Sequence, residues 1–288
     1  MARKFGDRKD GTLIRKMDAM HYIMPMMYRG RCNNEAFISE RIDLTNVMAY
    51  LEKKNADNPE YKYNVFQVIV TTVLKLMTQR PRLNIFIKNQ NFYQRNELSA
   101  SFIIKKKFAD NAEEGMAFIR AKESDNIDVV HDEIYSQVTA TRAGHGGGST
   151  QDVMDLFNKL PGWLVKLLFS FLHVLDEHGW IPASLIEADP YHASVILTNL
   201  GSIKLHSGYH HLTEWGTTSL FVIVGEIKKR PFYNEDGTFE MRESLDLGLT
   251  VDERIADGYY FSKTIKILKK IMENPELLDR PLGEAIDE

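Results

Sequence analysis

Three histidines, His206, His210 and His211, fall close together in a segment that follows an apolar run. Such a cluster can supply a general base. It does not meet metal-ligand spacing, because no matching Cys or His pair follows, and no metal is expected. His210 and His211 are adjacent, so an extended strand sends them to opposite sides, and a polar loop with solvated histidines is the plainer alternative. Thr198 precedes Asn199 and Gly201 at the end of that run. Its hydroxyl can donate to an oxyanion or bond its own turn. Lys228, Lys229 and Arg230 form a basic run that can meet phosphates or stay solvated. The glycine-rich AGHGGGS at 143–149 has no Gly-Lys-Ser/Thr after it, so it is no phosphate loop.

These residues sit in an ordinary globular composition: 288 residues, 43% apolar, 26% charged, net charge -4. Disordered, fibrous and disulfide-stapled classes are excluded. The mild acidity gives no basic stripe for nucleic acid. Cys32 is the only cysteine, which precludes an internal disulfide and points to a reducing compartment. A small apolar role for it is plainer than a nucleophilic one. The charged N-terminus lacks an apolar core for a secretory signal. The most apolar stretch, Leu160 to Leu175, is too short to span a membrane. A cytoplasmic protein with little membrane contact is expected.

Alternation marks a strand at Phe37 to Asp43; Ser194 to Asn199 reads as a strand ending in a turn at Gly201, and Asn84 to Phe92 and Ser99 to Lys107 as short strands. Ser219 to Gly225 is apolar throughout, as a strand buried on both faces should be. A hairpin turns at Asn234 to Gly237. Helices are expected over Leu44 to Lys54, Asn64 to Gln79, Asp125 to Arg142 and Tyr259 to Met272. Asn64 is the N-cap of the second, and Phe66, Val70, Val73, Leu74 and Met77 share its face. Asp152 to Trp180 reads as two apolar helical segments broken at Pro161-Gly162. Residues 1–30 look like an arm laid over the domain. One mixed α/β domain fits this order.

The order and several strings resemble chloramphenicol acetyltransferase and the catalytic domain of 2-oxo acid dehydrogenase acyltransferases (dihydrolipoamide acyltransferases). LDLGLTVDERIADG (245–258) is similar to the strand and loop carrying the family's His-x-x-x-Asp-Gly signature. ILTNLGSI (196–203) resembles its hydroxyl-bearing segment, and TTSLFVIVGEIKKRP (217–231) its central strand. FISERIDLTNVMAYL and YNVFQVIVTTVLKLMTQRPRLN match its first strand and first two helices in pattern. The resemblance covers roughly Phe37 to Pro275. It implies a mixed sheet flanked by helices, a homotrimer, and an inter-subunit channel where coenzyme A and a small-molecule acyl acceptor meet. No lipoyl attachment site is seen. The expected division is an arm at 1–33, an acyltransferase-like domain at 34–280 with an apolar helical insertion at 152–190, and a tail at 281–288.

By this resemblance Thr198 faces the oxyanion, and Asn199 and Gly201 shape its turn. Lys228 and Lys229 stand where coenzyme A phosphates would come. Asp257 supports the signature loop by pairing with an arginine, for which Arg29, Arg31 and Arg254 are candidates, and Gly258 completes the motif. The departure is Glu253, which stands where the family has histidine. A carboxylate ordinarily titrates near ~4.3, about two units below imidazole, and burial in an apolar channel raises it. Three readings stay open: Glu253 is the base, the chain is a degenerate member that binds without transferring, or His206, His210 or His211 supplies the base. The apolar insertion is buried in the core or between subunits, or it walls a pocket for a long or aromatic acyl group, or it touches a membrane surface, a reading weakened by its lack of a basic face.

Overall fold

The computed structural model describes residues 4–105, 114–143 and 159–286. Its frame is a seven-stranded mixed sheet made from β2 (Glu35–Asp43), β5 (Leu98–Lys105), β6 (Glu114–Ala121), β7 (Val195–Asn199), β8 (Leu220–Val224), β9 (Lys228–Tyr233) and β10 (Phe239–Asp252). The order is β2-β10-β8-β7-β5-β6, with β9 beside β10. β5, β7 and β8 run parallel, so their C-terminal ends meet at one edge. A second sheet has the order β1 (Gly11–Leu13), β4 (Asn91–Arg95), β3 (Ile85–Lys88).

Helices α2 (Thr45–Lys54), α3 (Val65–Gln79), α4 (Ile127–Arg142) and α7 (Gly258–Glu273) lend apolar side chains to the main core with one face of the large sheet. On β8 the residues Leu220, Val222 and Val224 enter this core, while Phe221 and Ile223 join a small cluster with Ile196 and Leu212 on the opposite face. That two-sided burial explains the unbroken LFVIV run. Asn64 caps α3 through a reciprocal box with Gln67, and Pro81 lies just past its end. α3 is buried almost all round rather than along one stripe. Phe66, expected in that stripe, is only half-buried: it packs against the core and also lines a cavity described below.

The N-terminal arm adds a strand to the small sheet and a helix, α1 (Ala19–Met27), capped by Asp18. Of the apolar insertion, α5 (Gly162–Glu177) and α6 (Ala183–Ala188) are described. The glycine cluster lies outside the described residues apart from Ala143. The only buried residue of α5 is Asp176; Trp163, Leu167, Phe171 and Val174 are exposed along one stripe. α5 does not wall the large cavity, contrary to the sharper sequence expectation. Among the described residues no helix is long and apolar enough to cross a membrane.

Candidate functional site

A cavity of about 1530 Å3 opens outside the C-terminal ends of β5, β7 and β8. This is where ligands bind in open α/β sheets. It wraps the strand ends, and strand alternation divides its lining into two lobes. On the helix side stand Leu51, Val65, Phe66, Phe102, Ile134 and Val138; on the opposite side stand Ile103, Thr198, Tyr209, His210 and Ile223.

Thr198 is held by parallel pairing of β7 with β8, in register with Ile223. Asn199 then forms the turn: its side chain accepts from the Ser202 N–H at 3.2 Å, and its carbonyl accepts from the Ser202 hydroxyl at 2.7 Å. Gly201 is required because a Cβ there would lie 2.6 Å from the Gly225 carbonyl oxygen. All three residues line the cavity.

Of the basic pair, Lys228 lines the cavity and is held 2.6 Å from Glu226. Lys229 does not line it, a correction to the expected phosphate pair, because alternation along β9 turns neighbouring side chains to opposite faces. Arg230 bonds Asp246 at 3.0 Å instead.

Only one of the three histidines reaches the cavity. His210 stacks on Phe221 with ring centroids 4.4 Å apart, and its Nδ1 lies 3.0 Å from the His211 carbonyl. His206 is exposed beside Glu226 at 3.4 Å, and His211 is exposed beside Glu35 at 3.1 Å. The alternative-base role is therefore unsupported for those two in this cavity. Cys32 is half-buried and donates to the Leu212 carbonyl; burial, with Glu214 nearby, pushes its thiol up to about 11, so it is a poor nucleophile.

Glu253 does not line the cavity. It is exposed at the end of β10, with its N–H bonded to the Asn34 carbonyl at 2.9 Å. The register fixes its distance from Thr198. Thr198 pairs with Ile223, Ile223 with Gly248, and Glu253 lies five residues further on. At ~3.4 Å per residue and ~4.8 Å per strand, the two side chains of one protomer are on the order of 15–20 Å apart.

The signature loop is pinned differently from the expected Asp257–arginine pair. Asp257 is exposed and caps α7, accepting from the Tyr260 N–H at 2.7 Å. Gly258 is the first residue of that helix. Asp252 takes the arginine: it is fully buried and bonds Arg254 bidentately at 2.8 and 2.7 Å. Arg254 also donates to the Tyr28 carbonyl, and Arg31 lies 3.9 Å from Asp252. The physical reason is position. Asp252 ends a buried strand and needs a counter-charge, whereas Asp257 already finds backbone donors at a helix N-terminus. Arg29 is exposed on a small cleft shared with Arg254 and Glu214.

A close approach holds the loop over this side of the sheet. A Cβ on Gly248 would sit 1.9 Å from the Gly208 carbonyl oxygen. Gly248→Ala is expected to displace the loop bearing Tyr209 and His210, lowering stability by about 1–3 kcal/mol. Urea unfolding checks the stability, and the tyrosine and histidine resonances of the loop check the displacement.

Residues 184–279 match the family model of the 2-oxoacid dehydrogenases acyltransferase (catalytic domain). The chain superposes on a probable dihydrolipoamide acetyltransferase from Listeria monocytogenes with TM-score 0.60 and 16% identity, covering 94% of this chain and 96% of that one. It has the chloramphenicol-acetyltransferase-like acyltransferase fold. Chloramphenicol acetyltransferase itself superposes with TM-score 0.54 and 12% identity over 91% of this chain and 99% of that one. The dihydrolipoamide acetyltransferase of Azotobacter vinelandii gives TM-score 0.61 and 12% identity over 93% and 94%. In that enzyme a serine, a histidine and an asparagine have been investigated for their roles in catalysis. The search of curated proteins returns no match. Within this fold the matched segment carries Thr198, the basic run, β10 and Glu253.

Sequence reasoning missed two site features. One is Gln67, whose amide nitrogen has no partner among the described residues although the residue is wholly buried and lines the cavity. The Asn-x-x-Gln spacing at 64–67 was its available signal. The other is a buried charge cluster around Asp176. Arg8, Lys88 and His192 converge on this one carboxylate, with the Lys88 ammonium 2.7 Å away and the His192 Nε2 3.3 Å away. Asp189 bridges the other ring nitrogen of His192 and the Trp215 N–H. These partners are far apart in sequence, so no local pattern announces them. Among the described residues no group of three or more His, Cys, Asp and Glu side chains is placed to hold a metal ion.

Proposed function

We propose that the protein transfers an acyl group between a coenzyme A thioester and a small-molecule acceptor, at a site completed by a second copy of the chain. The observation carrying this reading is the placement of Thr198, Asn199 and Lys228 together on a large cavity in an acyltransferase fold. Thr198 is the oxyanion donor, and Lys228 is the cation available to a phosphate. Glu253 takes the acceptor's proton. Its separation from Thr198 within one protomer supports a base supplied by a neighbouring copy, as in the homotrimer the resemblance implies. Transfer is direct in a ternary complex: the deprotonated acceptor attacks the thioester carbonyl, and the tetrahedral oxyanion forms against Thr198. The carbon–sulfur bond then breaks, and coenzyme A leaves as the thiol, taking the proton from Glu253. Asp252 and Arg254, rather than Asp257, hold the Glu253 turn.

A second reading has its own support, because Glu253 is exposed and apart from the cavity. In this reading the chain is a degenerate member that binds ligand or partner without transfer. Calorimetry with coenzyme A and acetyl-coenzyme A, with thiol release followed in the same samples, separates the two. Binding with thiol release is expected. Tight binding without release across a panel of acceptors would favour the binding protein, and activity gained only in Glu253→His would establish it.

A further inference from the structure

The helix-side lobe of the cavity carries a patch of apolar side chains that acetyl transfer does not call for. Its walls, Leu51, Val65, Phe66, Phe102, Ile134 and Val138, come from α2, α3, α4 and β5. Phe66 and Phe102 meet edge to face at 5.5 Å and line the same lobe. Pockets for drug-sized ligands run to roughly 300–1,000 Å3, so a cavity of about 1530 Å3 accommodates more than a small acceptor.

Glu52, Asn55, Tyr61, Tyr63 and Asn64 also line this side, and among the described residues Gln67 is the one of them with a wholly buried, unpartnered amide nitrogen. Gln67 is 0% exposed; its side-chain oxygen accepts from the Asn64 N–H at 2.9 Å, completing the helix cap. Its amide nitrogen has no partner among the described residues. Buried amides are nearly always satisfied, and an orphan beside a cavity is accounted for by a ligand acceptor. The cap fixes which end of the amide is spare, since the oxygen is committed to Asn64.

We propose that this lobe holds the chain of a medium-to-long aliphatic or aryl acyl group, and that Gln67 donates to a carbonyl oxygen of the bound ligand. The inference rests on the acyl-transfer reading for the thioester itself; the apolar tail is argued from the lobe alone. Thr198 lies around the strand ends from this lobe. A chain seated among the helices therefore leads its carbonyl towards the hydroxyl, where acetyl would leave most of the lobe to water.

The test measures binding of acetyl, octanoyl and dodecanoyl thioesters of coenzyme A and of N-acetylcysteamine, which lacks the nucleotide. Affinity should rise about two- to fourfold per added methylene until the lobe is full. Val138→Trp, which fills the half-buried wall of the lobe, should abolish that rise, with the melting temperature checking that the variant folds. Gln67→Glu keeps the oxygen that caps α3 but loses the amide donor, and should weaken every thioester by about tenfold. Equal affinity from acetyl to dodecanoyl, with coenzyme A still bound, would overturn the lobe assignment and leave acyl transfer standing. Chain-length-dependent binding without thiol release would support the lobe and count against transfer. If neither series binds, both readings fail.

Discussion

Glu253→Gln is expected to lower thioester turnover by about 10²–10⁴-fold, the usual loss when a positioned base is removed. Thioester binding should be little changed, since glutamine keeps the size and shape of the side chain. Thr198→Val should cost about 10²–10³-fold through loss of one oxyanion donor. Mixing the two inactive variants before reassembly provides the discriminating measurement. If Thr198 and Glu253 act from different copies, mixed assemblies contain intact sites and recover part of the activity. A mixture that stays inactive would sink the shared site. Full activity in Glu253→Gln together with its loss in His210→Asn would transfer the role to the histidine that shares the cavity with Thr198.

The second large effect concerns stability. Asp176 is fully buried and serves Arg8, Lys88 and His192 at once. Asp176→Leu removes the shared anion and leaves the Lys88 ammonium, 2% exposed, without that partner. Breaking a buried pair from one side costs about 3–5 kcal/mol, so the urea midpoint should fall sharply. Adding Lys88→Met to this variant should recover part of the loss, because the stranded charge is then gone.

The same cluster sets a pH dependence. Burial alone would raise the Asp176 carboxyl, but the His192 hydrogen bond and the Lys88 charge outweigh it and hold it well below the usual range. For His192, burial alone would lower the imidazole, but its bonds to Asp176 and Asp189 hold it above its ordinary value. A raised native histidine contributes fully below its unfolded value near ~6.5 and loses that contribution as pH climbs through the native one. The lowered aspartate contributes above about 3.9 and loses this as pH falls through its native value. Stability from the cluster should therefore be greatest between about pH 4 and 6.5 and decline on the alkaline side. Urea midpoints from pH 5 to 9 check this, and in His192→Gln the alkaline decline should vanish.

Local signals were legible wherever one segment contains its own cause. Asn64 and Gln67 satisfy each other's backbone within four residues, so the start of α3 could be read directly. β8 is apolar because both its faces are covered, and the hairpin at Asn234 to Gly237 closes with glycine at φ +83°. Two strand assignments were incomplete for equally local reasons. Asn84 to Phe92 is not one strand; it turns at Asn89 and Gln90, which both take positive φ without the Asn-Gly pair that usually marks such a turn. β6 carries Met116, Phe118 and Ile119 without clean alternation and gave no strand signal.

The sequence by itself determined most element types, the capping of α3, the strand ending at Thr198, and the glutamate at position 253. Tertiary structure alone decided which residues meet. It assigned Arg254 to Asp252, drew Arg8 and Lys88 to Asp176, brought His210 rather than His206 or His211 to the cavity, and separated Glu253 from Thr198 in one protomer. The physical reason is range. Capping and alternation are satisfied within a few residues, whereas counter-charges, cavity walls and shared sites are satisfied only by groups that folding brings from distant parts of the chain.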